Sequence, residues 1–202
     1  MYCKSGYEPA VILIVNILQA ALLKKVLDTF LIIENKHRLV WRIVFAGYYL
    51  ITTAACMIFH VSFFYGVCNL AGVIGVACFY RGAWAKRLWI SMFFFCIDTG
   101  SGAAAAFMGS GDIRMQQNAV RTLILLVCVA VICHIPDPKE SRETALDGKQ
   151  MFWLSVIPIL SVAVFMRLMY GDVDQVTAVS LCGAVTGLNL CVFYLYHILL
   201  GN

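Results

Sequence analysis

Apolar positions along this chain fall in long unbroken blocks, with neither the alternation of a half-buried strand nor the narrow stripe of a surface helix. Breaking the sequence at charges, Gly and Pro predicts seven segments, at 8–23, 40–58, 61–80, 88–108, 119–135, 152–170 and 175–199. A bilayer core needs roughly 20 apolar residues per helix, with a range of about 17–25. The pattern therefore predicts an all-α fold: a polytopic transmembrane helix bundle forming a single domain over 1–202. The weakest break is "FHVSFF" (59–64), where His60 and Ser62 are the polar residues. The first helix is expected to continue through "KKVLDTFLII" as an amphipathic extension lying along the membrane surface.

Composition agrees with lipid as the solvent. The chain is 62% hydrophobic and 13% charged, against about 45–50% and about 25% for a soluble domain. A net charge of +4 does not point to nucleic acid. Lys4 is the one early basic residue, and no small-x-small cleavage pattern precedes Lys24 and Lys25, so the first segment is expected to stay in the membrane.

The distribution of charge sets an orientation. With the N-terminus outside, Lys24, Lys25, Lys36, Arg38, Arg42, Arg81, Lys86, Arg87, Lys139, Arg142 and Lys149 fall inside, eleven in all. Lys4, Arg114, Arg121 and Arg167 fall outside, four in all. Positive charge concentrates on the cytoplasmic side of membrane proteins. Seven spans, N-out and C-in, satisfy that rule.

Catalytic signatures are missing. The four histidines, His37, His60, His134 and His197, are far apart, and there is no HExxH, GxSxG or P-loop. Cys133 and His134 are adjacent, so on a helix they point about 100° apart and do not form a nucleophile–base pair. The nine cysteines include no CxxC and read as small packing residues. No enzyme activity, cofactor or metal is expected, and no loop could house a soluble catalytic domain; the largest inner one is 136–150.

Asp98 is the ionisable group deep in a span. Counting from the inner ends at about 1.5 Å per residue puts Asp98 and Asn69 both about 15–16 Å deep. The two helices are joined by "RGAWAKR", so Asn69 is the expected partner. Asn16 and Asn189 count to similar depths, giving a candidate intramembrane polar network of Asp98, Asn69, Asn16 and Asn189 with no charged partner at depth. Interhelical glue and a signal- or ion-linked role are both open for it. Small residues cluster in "GSGAAAA" (100–106, just after Asp98), at Ala71 and Gly75, and at Gly183 and Gly187. The last pair is a candidate packing face within the bundle or in a homodimer. Pro158 is a candidate hinge in the sixth helix, and Arg167 is expected to snorkel to the outer interface.

Four stretches give the layout a likeness. These are the basic turn "FYRGAWAKRLW" (79–89), "GKQMFWLSVIPILSV" (148–162) with an aromatic pair and then Ile-Pro, "LNLCVFYLYHILL" (188–200), and the mixed-charge loop before the sixth helix. Together they resemble the N-terminal membrane sensor region of GHKL-type sensor histidine kinases, the group that includes accessory-gene-regulator peptide receptors. The resemblance implies a quorum-sensing or related two-component system in a bacterial cytoplasmic membrane. It implies an extracellular peptide or small-molecule signal, and a last helix that passes conformational change to a cytoplasmic kinase domain. Phosphoacceptor and ATP-binding motifs are absent up to Asn202, so the output domain is expected to be missing here. A small transporter or channel, or an accessory membrane subunit, is the alternative.

Overall fold

The computed structural model describes residues 8–32, 38–59, 63–108, 114–134, 148–170 and 172–201. Among them are seven helices: α1 (Glu8–Phe30), α2 (Arg38–Phe59), α3 (Phe63–Cys78), α4 (Trp84–Met108), α5 (Arg114–His134), α6 (Gly148–Tyr170) and α7 (Gln175–Gly201). The fold is an all-α bundle. Of the expected break at 59–64, residues 60–62 lie outside the described residues, as do most of the inner loop 136–150 and Lys4, Lys36, Lys139 and Arg142.

Among the described residues, five stretches are long and apolar enough to cross a membrane: Ala10–Phe30, Leu39–Ile58, Trp84–Met108, Gln117–His134 and Gln175–Tyr196. Phe64–Cys78 and Phe152–Leu168 are shorter apolar helical stretches. The chain is a multi-pass membrane protein. Its surface matches, since Ile14, Ile43, Leu50, Leu123, Leu160 and Leu195 are all exposed apolar side chains. In water such a surface would aggregate; against lipid tails it is neutral.

The extension of α1 is not a surface helix. α1 runs unbroken to Phe30, and Leu23, Val26, Leu27 and Phe30 sit in the main core. Their spacing puts one apolar stripe against the bundle, while Lys24 and Lys25 on the opposite side stay exposed. Lys24 pairs with Asp28 one turn on, and the Tyr80 hydroxyl donates to the other Asp28 oxygen at 2.5 Å. Beyond the helix, Arg81 N–H donates to the Ile32 carbonyl at 2.9 Å. Gly82 follows at φ 145°, a backbone state that favours glycine, and lets the chain turn into α4.

α4 is the axis of the bundle. It packs against α3, α5, α6 and α7 and touches α1. Trp89, Ile90, Phe93, Phe94 and Ile97 enter the main core; Cys96 and Ala103 enter a second cluster with Phe165 and Leu168 of α6 and Ala178 and Cys182 of α7. Gly100 makes the second contact possible. A Cβ there would lie 2.7 Å from the Phe165 ring and 3.2 Å from Thr186 Oγ1. The opening of α7 is capped by Asp174, whose carboxylate accepts from the Thr177 N–H at 2.9 Å.

Candidate intramembrane polar site

Asp98 lies ten residues from the Met108 end of α4, about 15 Å along the axis. Its side chain is buried and meets three donors from three helices. Asn69 Nδ2 of α3 donates to Oδ2 at 2.9 Å, and Gln19 Nε2 of α1 donates to the same oxygen at 2.7 Å. Arg121 Nη2 of α5 reaches both oxygens, at 2.7 and 2.9 Å. Asn69 Oδ1 accepts in turn from the Tyr48 hydroxyl of α2 at 2.9 Å. Five helices thus meet at one buried ion pair.

The local sequence explains the fit. Gly72, one turn beyond Asn69, has no Cβ to meet the Tyr48 ring, which lies 2.9 Å from where one would stand. The ring can therefore lie against α3 and bring its hydroxyl to Asn69. Gly102, one turn beyond Asp98, leaves ordinary van der Waals room for the Arg121 side chain. An unpaired charge in a bilayer costs a few kcal/mol or more. Here each charge is the other's counter-ion, and the spare carboxylate lone pairs are taken by two amides.

Two of the four expected network residues, Asp98 and Asn69, are brought together. The other two are not. Asn16 donates to Thr53 Oγ1 of α2 at 3.0 Å, and Asn189 donates to Ser161 Oγ of α6 at 2.7 Å and to its own Val185 carbonyl at 2.8 Å. Counting residues fixes depth but not the direction a side chain takes around its helix, and direction separates these pairs from Asp98. The expectation of no charged partner at depth is corrected by Arg121. α5 begins at Arg114, five residues before the expected boundary, which places Arg121 two turns inside the helix rather than in the outer interface. "RMQQNAVR" contains no helix breaker and was the available signal. Gln19 lies one turn beyond Asn16 and was legible as a polar residue of the first span; Tyr48 had no signal beyond its hydroxyl.

Gly183 and Gly187 do not pack within the bundle, because a Cβ at either position would meet nothing within 4 Å. Gly75 is open in the same way. Pro158 is buried inside a continuous α6, and Arg167 is exposed near that helix's end. Among the described residues no group of three His, Cys, Asp or Glu could hold a metal ion.

Nearer the α5 start, the buried Tyr65 hydroxyl lies beside the Arg121 guanidinium without closing a hydrogen bond of ordinary geometry. The Gln19 Oε1 acceptor is buried and has no partner. On the other side of Asp98 along α4 the lining turns aromatic. Trp89 stacks on Phe93, Phe193 and Tyr196 at centroid distances of 5.5, 5.4 and 4.0 Å, and Phe30 meets Phe193 edge-on at 4.9 Å. The Asp98 cluster thus lies in the half of the bundle towards Met108, and an aromatic stack fills much of the half towards Trp84, where Lys86 and Ser91 are also buried.

No family model, curated protein or solved structure matches this chain.

Proposed function

We propose that this chain is the signal-sensing and transmitting membrane module of a bacterial two-component sensor histidine kinase of the GHKL type. An extracellular peptide or small molecule would act at the polar half of the bundle, and α7 would carry the response to a cytoplasmic kinase domain. One observation carries the reading: α4 holds Asp98 of the five-helix polar cluster and, about one and a half and two and a half turns away, Phe93 and Trp89, which stack on Phe193 and Tyr196 of α7. A helix that shifts when the ion pair rearranges moves the end of α7 with it, because packed aromatic cores switch between discrete arrangements. The open Gly183–Gly187 face suits a homodimer.

The test is a chimera. Dimerisation and ATP-binding domains of a GHKL kinase are joined after Leu200, with one to four alanines inserted at the junction. A helix turns about 100° per residue, so kinase activity should rise and fall with a period near one turn. Gly187→Leu should lower the activity or lock it. A flat response in a folded, inserted chimera would overturn the sensor reading.

A second reading, a small transporter, is favoured by the charged pair at depth, which is a feature of intramembrane transport sites. The aromatic stack between that pair and the far face weighs against it. Proteoliposome uptake that is abolished by Asp98→Asn would support the transporter instead.

A further inference from the structure

α6 divides at Pro158 into two halves that are held differently. Beyond the proline, Ser161, Phe165 and Leu168 are buried on one stripe. Asn189 of α7 donates to Ser161 Oγ at 2.7 Å, and the Phe165 ring fills the space left by Gly100 of α4. Before the proline, no side chain from Phe152 to Ile157 is buried, and Leu154 and Ile157 lean half-buried on the main core. Two weaknesses of the helix ladder meet at the junction. Pro158 has no N–H for the Leu154 carbonyl, and its ring crowds that carbonyl. Ser161 Oγ also donates back to the Ile157 carbonyl at 2.7 Å, a side-chain bond that bends helices. Phe152 and Trp153, near the start of α6, are 64% and 70% exposed, more than any other aromatic side chain among the described residues. Leu154 and Ile157 meet the cluster that holds Trp89 and Phe93, and Phe165 and Leu168 meet the one that holds Ala103, so α6 runs beside α4 in the same direction. Phe152 and Trp153 therefore lie at the same end of the bundle as the exposed Trp84.

We propose that 148–157 of α6 is an arm hinged at Pro158, and that Phe152 and Trp153 dock its end in the headgroup layer of the bilayer, so that its angle follows bilayer thickness. The docking surface continues the lipid-facing surface of Ile159 and Leu160. Trp is a residue type that settles where hydrocarbon meets headgroup. Length supplies the force. The stretch 151–166, between Lys149 and Gln150 on one side and Arg167 on the other, holds sixteen residues without a charge. That is about 24 Å of helix at about 1.5 Å per residue, against a hydrocarbon core of about 30 Å. A span that is too short pulls its flanking residues towards the interface and thins the bilayer around it. The clamped half of α6 stays with the bundle, so the hinge takes up the difference. A thicker bilayer draws the arm upright, and a thinner one lets it lean. The arm needs neither a kinase domain nor an extracellular ligand, so it stands or falls apart from the sensing function.

The test is a distance measurement on the whole chain in vesicles of dimyristoleoyl, dioleoyl and dierucoyl phosphatidylcholine, in order of increasing thickness. Spin labels are carried on non-natural amino acids, since the chain's own nine cysteines would compete for a thiol label. One label replaces Gln150 and the other Ile43, which is exposed on α2. Their separation, read by pulsed electron–electron resonance, should move in one direction through the series by about 5 Å, the swing of a roughly 15 Å arm through about 20°. With the first label moved to Leu160, beyond the hinge, the separation should stay the same in all three lipids. Pro158→Ala restores the missing N–H, and Trp153→Ala removes the anchor. Each should cut the Gln150 shift at least about threefold and leave the Leu160 distance alone. No shift at Gln150 in the otherwise unaltered chain would overturn the arm. So would equal shifts at Gln150 and Leu160, which describe a rigid helix that tilts as a whole. A shift undiminished by Pro158→Ala would overturn the hinge, and one undiminished by Trp153→Ala would overturn the anchor.

Discussion

Asp98 carries more than an interhelical hydrogen bond. A membrane hydrogen bond is worth about 0.6 kcal/mol on average and about 1.7 at most, whereas removing one member of a buried ion pair costs about 3–5 kcal/mol because it strands the other charge. Asp98→Leu leaves Arg121 without its counter-ion and strands the Gln19 and Asn69 donors. It should therefore destabilise the bundle by several times as much as Tyr48→Phe, which deletes only the bond to Asn69 Oδ1. Unfolding in mixed micelles measures both, and equal costs would mean that the ion pair contributes nothing to the fold. The pairing of Asp98 with Asn69 was legible because both residues sit on helices joined by a short turn, where depth alone narrows the choice. Arg121 was not, because in the sequence it adjoins polar residues and reads as an interfacial charge. Only the early start of α5 and the space beside Gly102 turn it inward.

At the scale of the element, boundaries follow local chemistry and burial follows tertiary packing. The seven helices were legible as apolar blocks, but the fate of α1 beyond Leu23 was not. Two lysines in "KKVLDTF" suggest a surface helix, and the stripe formed by Leu23, Val26, Leu27 and Phe30 can face lipid or protein equally well. The structure gives it to the core. Leu27→Ala should consequently cost about 2–5 kcal/mol, the range for a buried leucine, while Ile14→Ala on the exposed flank of the same helix should cost little. Comparable small losses at both sites would restore the surface-lying helix. Gly100 tests the α4–α6–α7 junction in the opposite sense. Gly100→Ala drives a methyl into the Phe165 ring, and overpacking of this kind costs about 1–3 kcal/mol. At the start of α7, backbone donors hold the Asp174 carboxyl below its usual range. The depressed value means that the cap is in place above the ordinary carboxylate range and is lost as pH falls through the lowered one. Amide exchange at Val176 and Thr177 should quicken in acid, and Asp174→Asn, which still caps but does not titrate, should remove that dependence.

For the whole molecule, the distribution of charge and the position of the site bear on one another. The described basic residues Lys24, Lys25, Arg42, Arg81, Lys86 and Arg87 gather at the end of the bundle where the aromatic stack lies, and the polar cluster opens towards the other end. Arg121, counted from sequence among the outer charges, is consumed by Asp98 and leaves that side poorer in free positive charge than the sequence suggested. Lys and Arg concentrate on the cytoplasmic side, so the polar half should face outwards and both α7 and the aromatic stack should end inwards. A fluorescent reporter fused after Asn202 should then mature in the cytoplasm, and alkaline phosphatase inserted after Gly111 should be active on the outside. The reverse pattern would put the Asp98–Arg121 cluster towards the cytoplasmic side, where no extracellular signal could reach it. Cytoplasmic signals at both positions would mean that the number of crossings between Gly111 and Asn202 is even, and one of the two shorter apolar helices, α6 being the one in that interval, would then lie in the membrane without crossing it.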